Sequence, residues 1–414
     1  MRIKAFRGLR PRPEHARAIA SRPYDVLDSN EARLEAGGNP LSFLNVVKPE
    51  ITLPPDVDPY GDAVYAAGRN YFHKFLNDGV FFQEQGECLY IYELVMNQHV
   101  QTGIVACAWV EDYLQDRIKK HELTRPDKEN DRKKHIRVSM LNAEPVFFAY
   151  KAVASLDQLV AVIKQSQPVY DFKAEDGIGH RFWVVEEQAT IAAICADFVR
   201  IPATYVADGH HRTAAAALVG HDLSLENPEH TGTEEYNYFL AVHFPDNQLQ
   251  IMDYNRVVKD LDGLNPADFI TAIAGSFTVS NMGRQRCKPR QLHEIGMYLD
   301  GQWYALRAHT GSYDDADPVG VLDVTILSKR ILDPVLNITD LRRDKRIDFV
   351  GGIRGLQELE RRVDSGEMAV AFAMYPVSMQ QLMAIADSGN IMPPKTTWFE
   401  PKLRSGLIVH SLKE

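Results

Sequence analysis

The chain has 414 residues, 45% of them hydrophobic and 25% charged, with a formal net charge of −10 at pH 7. This describes a globular chain long enough for two or three domains, and its negative balance argues against broad, non-specific nucleic-acid binding. No uninterrupted apolar run reaches the roughly 18 residues of a membrane span. Residues 1–7 lack the apolar stretch of a signal peptide. The four cysteines, Cys88, Cys107, Cys195 and Cys287, form no CxxC pair, so neither a zinc site nor a disulfide framework is expected. Cys107 and Cys195 sit in apolar surroundings and read as buried thiols. The expectation is a cytoplasmic protein without a membrane partner.

In chain order, a short strand gives way to proline-rich turns, with Pro13 in the first turn of a helix and Asp28 placed to cap the next one. Residues 44–47 read as a strand. Residues 60–79 form an amphipathic pattern with Val64, Tyr65, Tyr71, Phe72 and Phe75 on one stripe, a core-facing helix. The segments 88–94 and 101–110 predict a hairpin that turns at Asn97-Gln98. Residues 118–137 mix charges of both signs, the pattern of a solvated helix face. Strands are expected at 145–150, 169–172, 180–185 and 201–206, with a helix at 155–163. Beyond them, 238–244 and 249–254 read as a strand pair joined by Pro245-Asp246-Asn247. Residues 264–330 predict helices at 266–274 and 321–332 around strands 277–279, 295–299 and 303–307. The tail predicts strand 368–375, helix 378–387 and strand 405–410. Strands mixed irregularly with helices indicate the α+β class with mixed sheets, divided into regions 1–260, 261–335 and 336–414.

The segment most informative about chemistry is Ala207-Asp208-Gly209-His210-His211-Arg212. An apolar strand precedes it. The alanine-rich run that follows, Thr213 to Leu218, is strongly helix-forming. A tight Asp-Gly turn between the two places backbone N–H groups and polar side chains at a helix start, where an anion is stabilised. The GxxxxGK[ST] phosphate loop is absent. A plain strand-to-helix connector is the competing reading.

Further motifs accompany it: Arg22-Pro23-Tyr24-Asp25-Val26, Lys119-Lys120-His121-Glu122-Leu123-Thr124-Arg125-Pro126, Asp253-Tyr254-Asn255-Arg256, the run from Asp344 to Gly352, and the run from Met392 to Lys402. Together they resemble the DUF1015 family over nearly the whole chain. That family in turn resembles the ParB/sulfiredoxin-like superfamily, whose members bind a nucleotide or phosphate at a comparable turn. The resemblance implies a ParB/sulfiredoxin-like nucleotide-binding core with an α+β elaboration. It also implies a relationship to free-serine kinases, in which an acidic residue activates the serine hydroxyl.

On that footing the expected activity is phosphoryl transfer on serine or phosphoserine with ATP or ADP and Mg²⁺. Glu122, Asp208, His210 and His211 are the catalytic candidates, with Glu122 as general base and Asp25 as its rival. Gly209, Arg212, Thr213, Arg125, Arg256, Lys345 and Arg346 are expected to hold phosphate or nucleotide, arginine by bidentate contact. Asp25, Asn255 and Lys395 are assigned to substrate and Asp208 to Mg²⁺. The alternatives are a phosphoserine phosphatase, with water as acceptor, and a nucleotide-binding regulator or DNA-binding protein. The return to strand after the motif and the negative charge disfavour nucleic acid. The expected partners are small molecules, and a homodimer is left open. Each site residue has a bland counterpart: a turn cap for Asp25, a surface ion-pair run for Asp344-Lys345-Arg346, packing for Trp398-Phe399.

Overall fold

Apolar residues on both faces of 89–96 and 99–109 make two long buried strands, and the turn between them is closed by Asn97 in the left-handed region, with φ of 56°. Asparagine tolerates that conformation where most residues do not. In the computed structural model, which describes residues 1–413, this hairpin is the centre of a nine-stranded sheet. The sheet runs Ile118–Lys119, Thr204–Asp208, Val146–Tyr150, Tyr238–Pro245, His99–Trp109, Leu89–Met96, Gly179–Val185, Tyr170–Lys173, with Ile3–Lys4 paired to His99–Trp109. Its pairings are mixed. Thr204–Asp208 is parallel to Ile118–Lys119, and Tyr238–Pro245 is parallel to Val146–Tyr150, while the remainder are antiparallel. The expected α+β class with mixed sheets is therefore what the chain adopts.

The chain divides into two compact units, Met1–Leu249 with Pro401–Glu414, and Gln250–Glu400. The expected boundaries at 260 and 335 fall elsewhere. Both lie inside the second unit, because Tyr254–Val258 pairs with Ile347–Gly351 and with Val370–Ala373 in one antiparallel six-stranded sheet. That sheet continues through Glu294–Leu299 and Gln302–Ala308 to the edge strand Phe277–Gly283. Trp303, Leu359 and Ala371 are buried at its core.

Several local expectations change. Residues 44–47 form one helical turn instead of a strand; all four are buried, and a short run buried all round carries no period to separate strand from helix. Residues 249–254 do not pair with 238–244. Both edges of Tyr238–Pro245 are already occupied by His99–Trp109 and Val146–Tyr150, so Gln250–Met252 pairs with Trp398–Glu400. The helix Pro126–Ser139 is no solvated bystander, since Asp131, Arg132, His135 and Ile136 are buried. The helix expected at 321–332 is Asp323–Leu327 followed by a wider turn through Ser328–Leu332. The final strand, expected at 405–410, is His410–Ser411, with only isolated bridges at Ser405 and Val409 before it. Asp28 does cap its helix, in a reciprocal capping box with Glu31. Cys107 is buried, Cys195 half-buried, and all four cysteines are free thiols. Among the described residues, no helix is long and apolar enough to cross a membrane.

The helix that follows the Asp-Gly turn, His210–Glu226, packs against the start of Tyr238–Pro245 and the helix Val110–Leu114. Its approach depends on Gly220, where a Cβ would lie 2.2 Å from the Tyr236 carbonyl and 2.8 Å from Val110 Cγ2. Alanine gains about 1 kcal/mol of helix propensity over glycine, but overpacking against fixed backbone costs about 1–3 kcal/mol. Gly220→Ala is therefore expected to lower the unfolding free energy by about 1 kcal/mol net, read as a lower urea midpoint, and a raised midpoint would show that the helix has room to shift.

Candidate functional site

The strand Thr204–Asp208 ends where its last residue turns half out of the core. Gly209 then takes φ of 87° and His210 begins a 17-residue helix. Glycine is required twice over here: the left-handed φ is costly for a side chain, and a Cβ would meet the Arg212 guanidinium at 3.2 Å. Thr213 closes the turn, its Oγ1 donating to the Gly209 carbonyl at 2.9 Å.

Arg212 is 6% exposed. Its Nη1 donates to the Pro145 carbonyl at 2.8 Å, Nη2 lies 3.5 Å from Asp208 Oδ2, and Nε has no hydrogen-bond partner. Burial works against its charge, but Asp25, Glu144 and Asp208 more than offset this and raise its pKa. Glu144 is buried as well. It accepts from Ser405 Oγ at 2.8 Å and from the Tyr24 backbone N–H at 3.1 Å. Burial lifts its carboxyl pKa against the pull of Arg212 and Arg132. Arg132 in turn packs its guanidinium 4.0 Å from the Tyr24 ring centroid and pairs with Asp131 at 2.8 Å.

Asp208 carries the opposite balance. Burial pushes its pKa up, yet Lys402, Arg212 and His210 together hold it below the ordinary carboxylate value. Lys402 Nζ stands 3.5 Å from Asp208 Oδ2. The carboxylate is thus ionised and flanked by two cations.

His121 and His210 stay neutral. His121, 1% exposed, has its pKa pressed to about 4 by burial, with Asp208 opposing. His210 is driven well below its ordinary value by burial and by His121. The two rings meet edge to face, 4.5 Å between centroids, and His210 Nε2 is buried without a hydrogen-bond partner. His211 is half-buried and accepts the Arg125 backbone N–H at 3.0 Å. The loop carrying Glu122 is therefore fastened on both sides to the helix start, through His121 before it and Arg125 after it. Glu122 itself is half-buried. Asp25 is exposed and makes no side-chain hydrogen bond among the described residues, while its charge acts on Arg212, Glu144 and Tyr24.

The first unit thus brings together Asp25, Glu122, Asp208, Gly209, His210, His211, Arg212 and Thr213. The Arg125 side chain points to the surface, paired with Asp127 at 2.7 Å. The other expected site residues lie in the second unit. Asn255 is fully engaged, donating to Asp253 Oδ2 at 2.7 Å and accepting from Met374 N at 2.9 Å. Arg256 is 1% exposed, donates to the Lys395 carbonyl at 3.0 Å, and has its pKa lowered by burial to about 10. Lys395 takes φ of 58° with its Nζ 5.8 Å from the Tyr254 ring. Arg346 is held by Asp344, Asp260 and Asp262, and Lys345 is exposed. Sequence reasoning named Lys402 only as the last residue of the Met392–Lys402 run, without a role, and did not single out Glu144. An acid immediately before the apolar run 145–150 was a signal for the latter. For Lys402 the run it closes was the signal, while its pairing with Asp208 comes from chain return.

A family model described as "Protein of unknown function (DUF1015)" matches residues 3–325. No curated protein matches the chain. Solved structures that resemble it include a conserved hypothetical protein from Pyrococcus furiosus, 13% identical at a TM-score of 0.37, covering 74% of this chain and 95% of that one. A variant of a free serine kinase in complex with AMP is 11% identical at 0.38, covering 73% and 92%. SbnI from Staphylococcus aureus, with its C-terminus truncated, is 12% identical at 0.38, covering 73% and 85%.

Neutral burial of histidine has a measurable cost in acid. His121 and His135 are held near 4 and His180 and His243 near 3, in each case mainly by burial, against about 6.5 in an unfolded chain. Between pH 6.5 and 4 the unfolded state binds the extra protons, so stability falls as pH falls, by up to about 1.4 kcal/mol per pH unit for each such histidine. Urea unfolding of His121→Asn at pH 7 and pH 5 is expected to show a slope shallower than the parent's by up to that amount; an identical slope would mean that His121 protonates in the folded protein.

Proposed function

The chain belongs to the DUF1015 family, and we propose that this member is a phosphotransferase acting on serine or phosphoserine with ATP or ADP. The observation that carries the reading is the pair of unsatisfied buried groups at one helix start, Arg212 Nε and His210 Nε2. Buried polar atoms are normally satisfied, and exceptions call for an explanation. A phosphate at the N-terminus of His210–Glu226 supplies one: its oxygens accept from Arg212, from His210 as the Nε2–H tautomer, and from the first backbone N–H groups of the helix.

Phosphoryl transfer requires positioning and charge neutralisation more than covalent chemistry. Arg212 and Lys402 provide the neutralisation, and Asp208 sets their positions. In the forward direction the serine hydroxyl oxygen attacks the γ-phosphorus as Glu122 accepts its proton. The bond from γ-phosphorus to the bridging oxygen breaks, and ADP leaves with the electron pair. The reverse transfer runs from phosphoserine to ADP through the same groups. Among the described residues no group of three or more His, Cys, Asp or Glu is arranged to hold a metal. Mg²⁺ would be held mainly by the nucleotide phosphates and water, with Asp208 as its protein carboxylate, supplying further charge neutralisation.

Asp25 is the second reading for the base. Its carboxylate is exposed, unbonded and close enough to act on Arg212. The residues of the second unit carry none of this assignment.

Incubation with serine plus ATP, and separately with phosphoserine plus ADP, should interconvert the two pairs as followed by phosphorus NMR. Glu122→Gln and Asp208→Asn are expected to reduce turnover at least 100-fold, the scale of a lost general base, with an unchanged circular dichroism spectrum. Full activity in both variants would sink the assignment. Loss in Asp25→Asn with retention in Glu122→Gln would transfer the base to Asp25. Phosphate release from phosphoserine without ADP would make the enzyme a hydrolase.

A further inference from the structure

We propose that the second unit carries a separate binding pocket for a phosphate ester with an apolar body, formed on its sheet edge by the basic loop 284–290. The pocket is a cavity of about 700 Å³, within the range of small-molecule sites. Its wall includes Arg286, Lys288, Arg290 and Arg307, against the single carboxylate of Glu294. Two of these cations are committed: Arg286 pairs with Glu360 at 2.6 Å and Arg307 with Glu294 at 2.6 Å. Lys288 and Arg290 have no side-chain hydrogen bond or carboxylate partner among the described residues and are exposed. In a chain of net charge −10, such a concentration of unmatched positive charge marks the place where an anion is stabilised.

The loop is fixed in place. Gly296 admits it, since a Cβ there would lie 2.0 Å from the Cys287 carbonyl. The Arg290 N–H donates to Glu294 Oε2 at 3.3 Å, and Gln285 N–H to the Met282 carbonyl at 3.1 Å. Residues 286, 288 and 290 alternate along the loop and all line the pocket, while Cys287 also packs on the core. The cations are thereby presented by a loop that is already ordered, which lowers the entropy cost of binding. Beneath them lie Met282 and Ala305, the latter on the sheet face shared by Glu294 and Arg307, while the Ile295 and Leu306 side chains are buried on the opposite face. Thr278 and Ser280 add hydroxyls along the strand. Cations at the rim and an apolar floor suit a ligand that is anionic at one end and apolar at the other. Inorganic phosphate would use the rim alone.

Cys287 offers a readout confined to this pocket, because this half-buried residue is one of those that line the cavity. The full-length protein is treated with iodoacetamide at pH 8, and the modification rate of the Cys287 peptide is followed by mass spectrometry. Phenyl phosphate is expected to slow that rate at least fivefold, at concentrations at least tenfold below those inorganic phosphate needs. The protection should weaken with added salt and disappear in Lys288→Gln/Arg290→Gln, whose melting temperature and phosphoryl-transfer activity should match the parent. Unchanged labelling with phenyl phosphate, or protection that persists in the double variant, would overturn the proposal. So would protection by a twelve-residue single-stranded oligonucleotide without protection by phenyl phosphate, which would assign the loop to a nucleic-acid backbone.

Discussion

The buried guanidinium of Arg212 is the constraint around which the first unit is organised. Removing such a cation from water costs several kcal/mol even after relaxation, and only well-placed acceptors and counter-charges offset it. Here they come from three separate places in the chain: Asp25 near the N-terminus, Glu144 and the Pro145 carbonyl ahead of a central strand, and Asp208 four residues earlier. Each is held in turn. Glu144 is fixed by Ser405 and by the Tyr24 backbone, Tyr24 by the Arg132 guanidinium over its ring, and Asp208 by Lys402. Satisfying one cation therefore draws the N-terminal segment, the helix Pro126–Ser139 and the C-terminal segment to the same helix start.

The same arrangement fixes protonation states. Asp208 stays charged because cations surround it, while His121 and His210 stay neutral because burial outweighs a single nearby carboxylate. A neutral imidazole can present one nitrogen as donor and the other as acceptor. It can therefore orient an anion without adding a further positive charge beside Arg212 and Lys402. The C-terminal segment contributes more than Lys402. Arg404 pairs with Asp176 and donates its backbone N–H to Tyr92 Oη at 3.3 Å, and Val409 exchanges backbone hydrogen bonds with Leu9. These bonds make residues 401–413 an integral part of the first unit.

Much of this was legible in the sequence where the physics is local. The strand, the Asp-Gly turn and the alanine-rich helix follow from propensity and turn chemistry, and the Asn97 hairpin and the Asp28 cap follow from residues with one dominant use. Legibility failed where the decision is made at a distance. Residues 44–47 are buried on every side and lose their period. Residues 249–254 lost a pairing contest because both edges of the neighbouring strand were taken. Arg132 and Asp131 look like surface charge until Tyr24 and Glu144 fold against them. Lys402 follows 151 residues that form a unit of their own, so nothing near it in sequence announces Asp208. Arg346 illustrates the reverse error: a basic residue in a charged run, which reads as a phosphate ligand, is already committed to three aspartates.

For a chain of net charge −10, the anion binding proposed above poses an apparent conflict, which distance resolves. At physiological ionic strength, charges farther apart than about 8 Å are largely screened, so the overall balance sets solubility more than recognition. What a bound anion feels is the handful of charges within one screening length and the local dielectric. Around the helix start these are Arg212 and Lys402, with Arg212 buried, where an interaction is worth several times its value in water. Around the loop 284–290 they are Lys288 and Arg290, exposed and with no side-chain ion pair among the described residues, where attraction is weaker and falls with salt. The two settings predict different binding behaviour from the same residue types: salt-tolerant and orientation-specific at Arg212, salt-sensitive and tolerant of ligand shape at Lys288. Net charge carries no information about either, because the property that matters is how each cation is desolvated and which counter-charges it already holds.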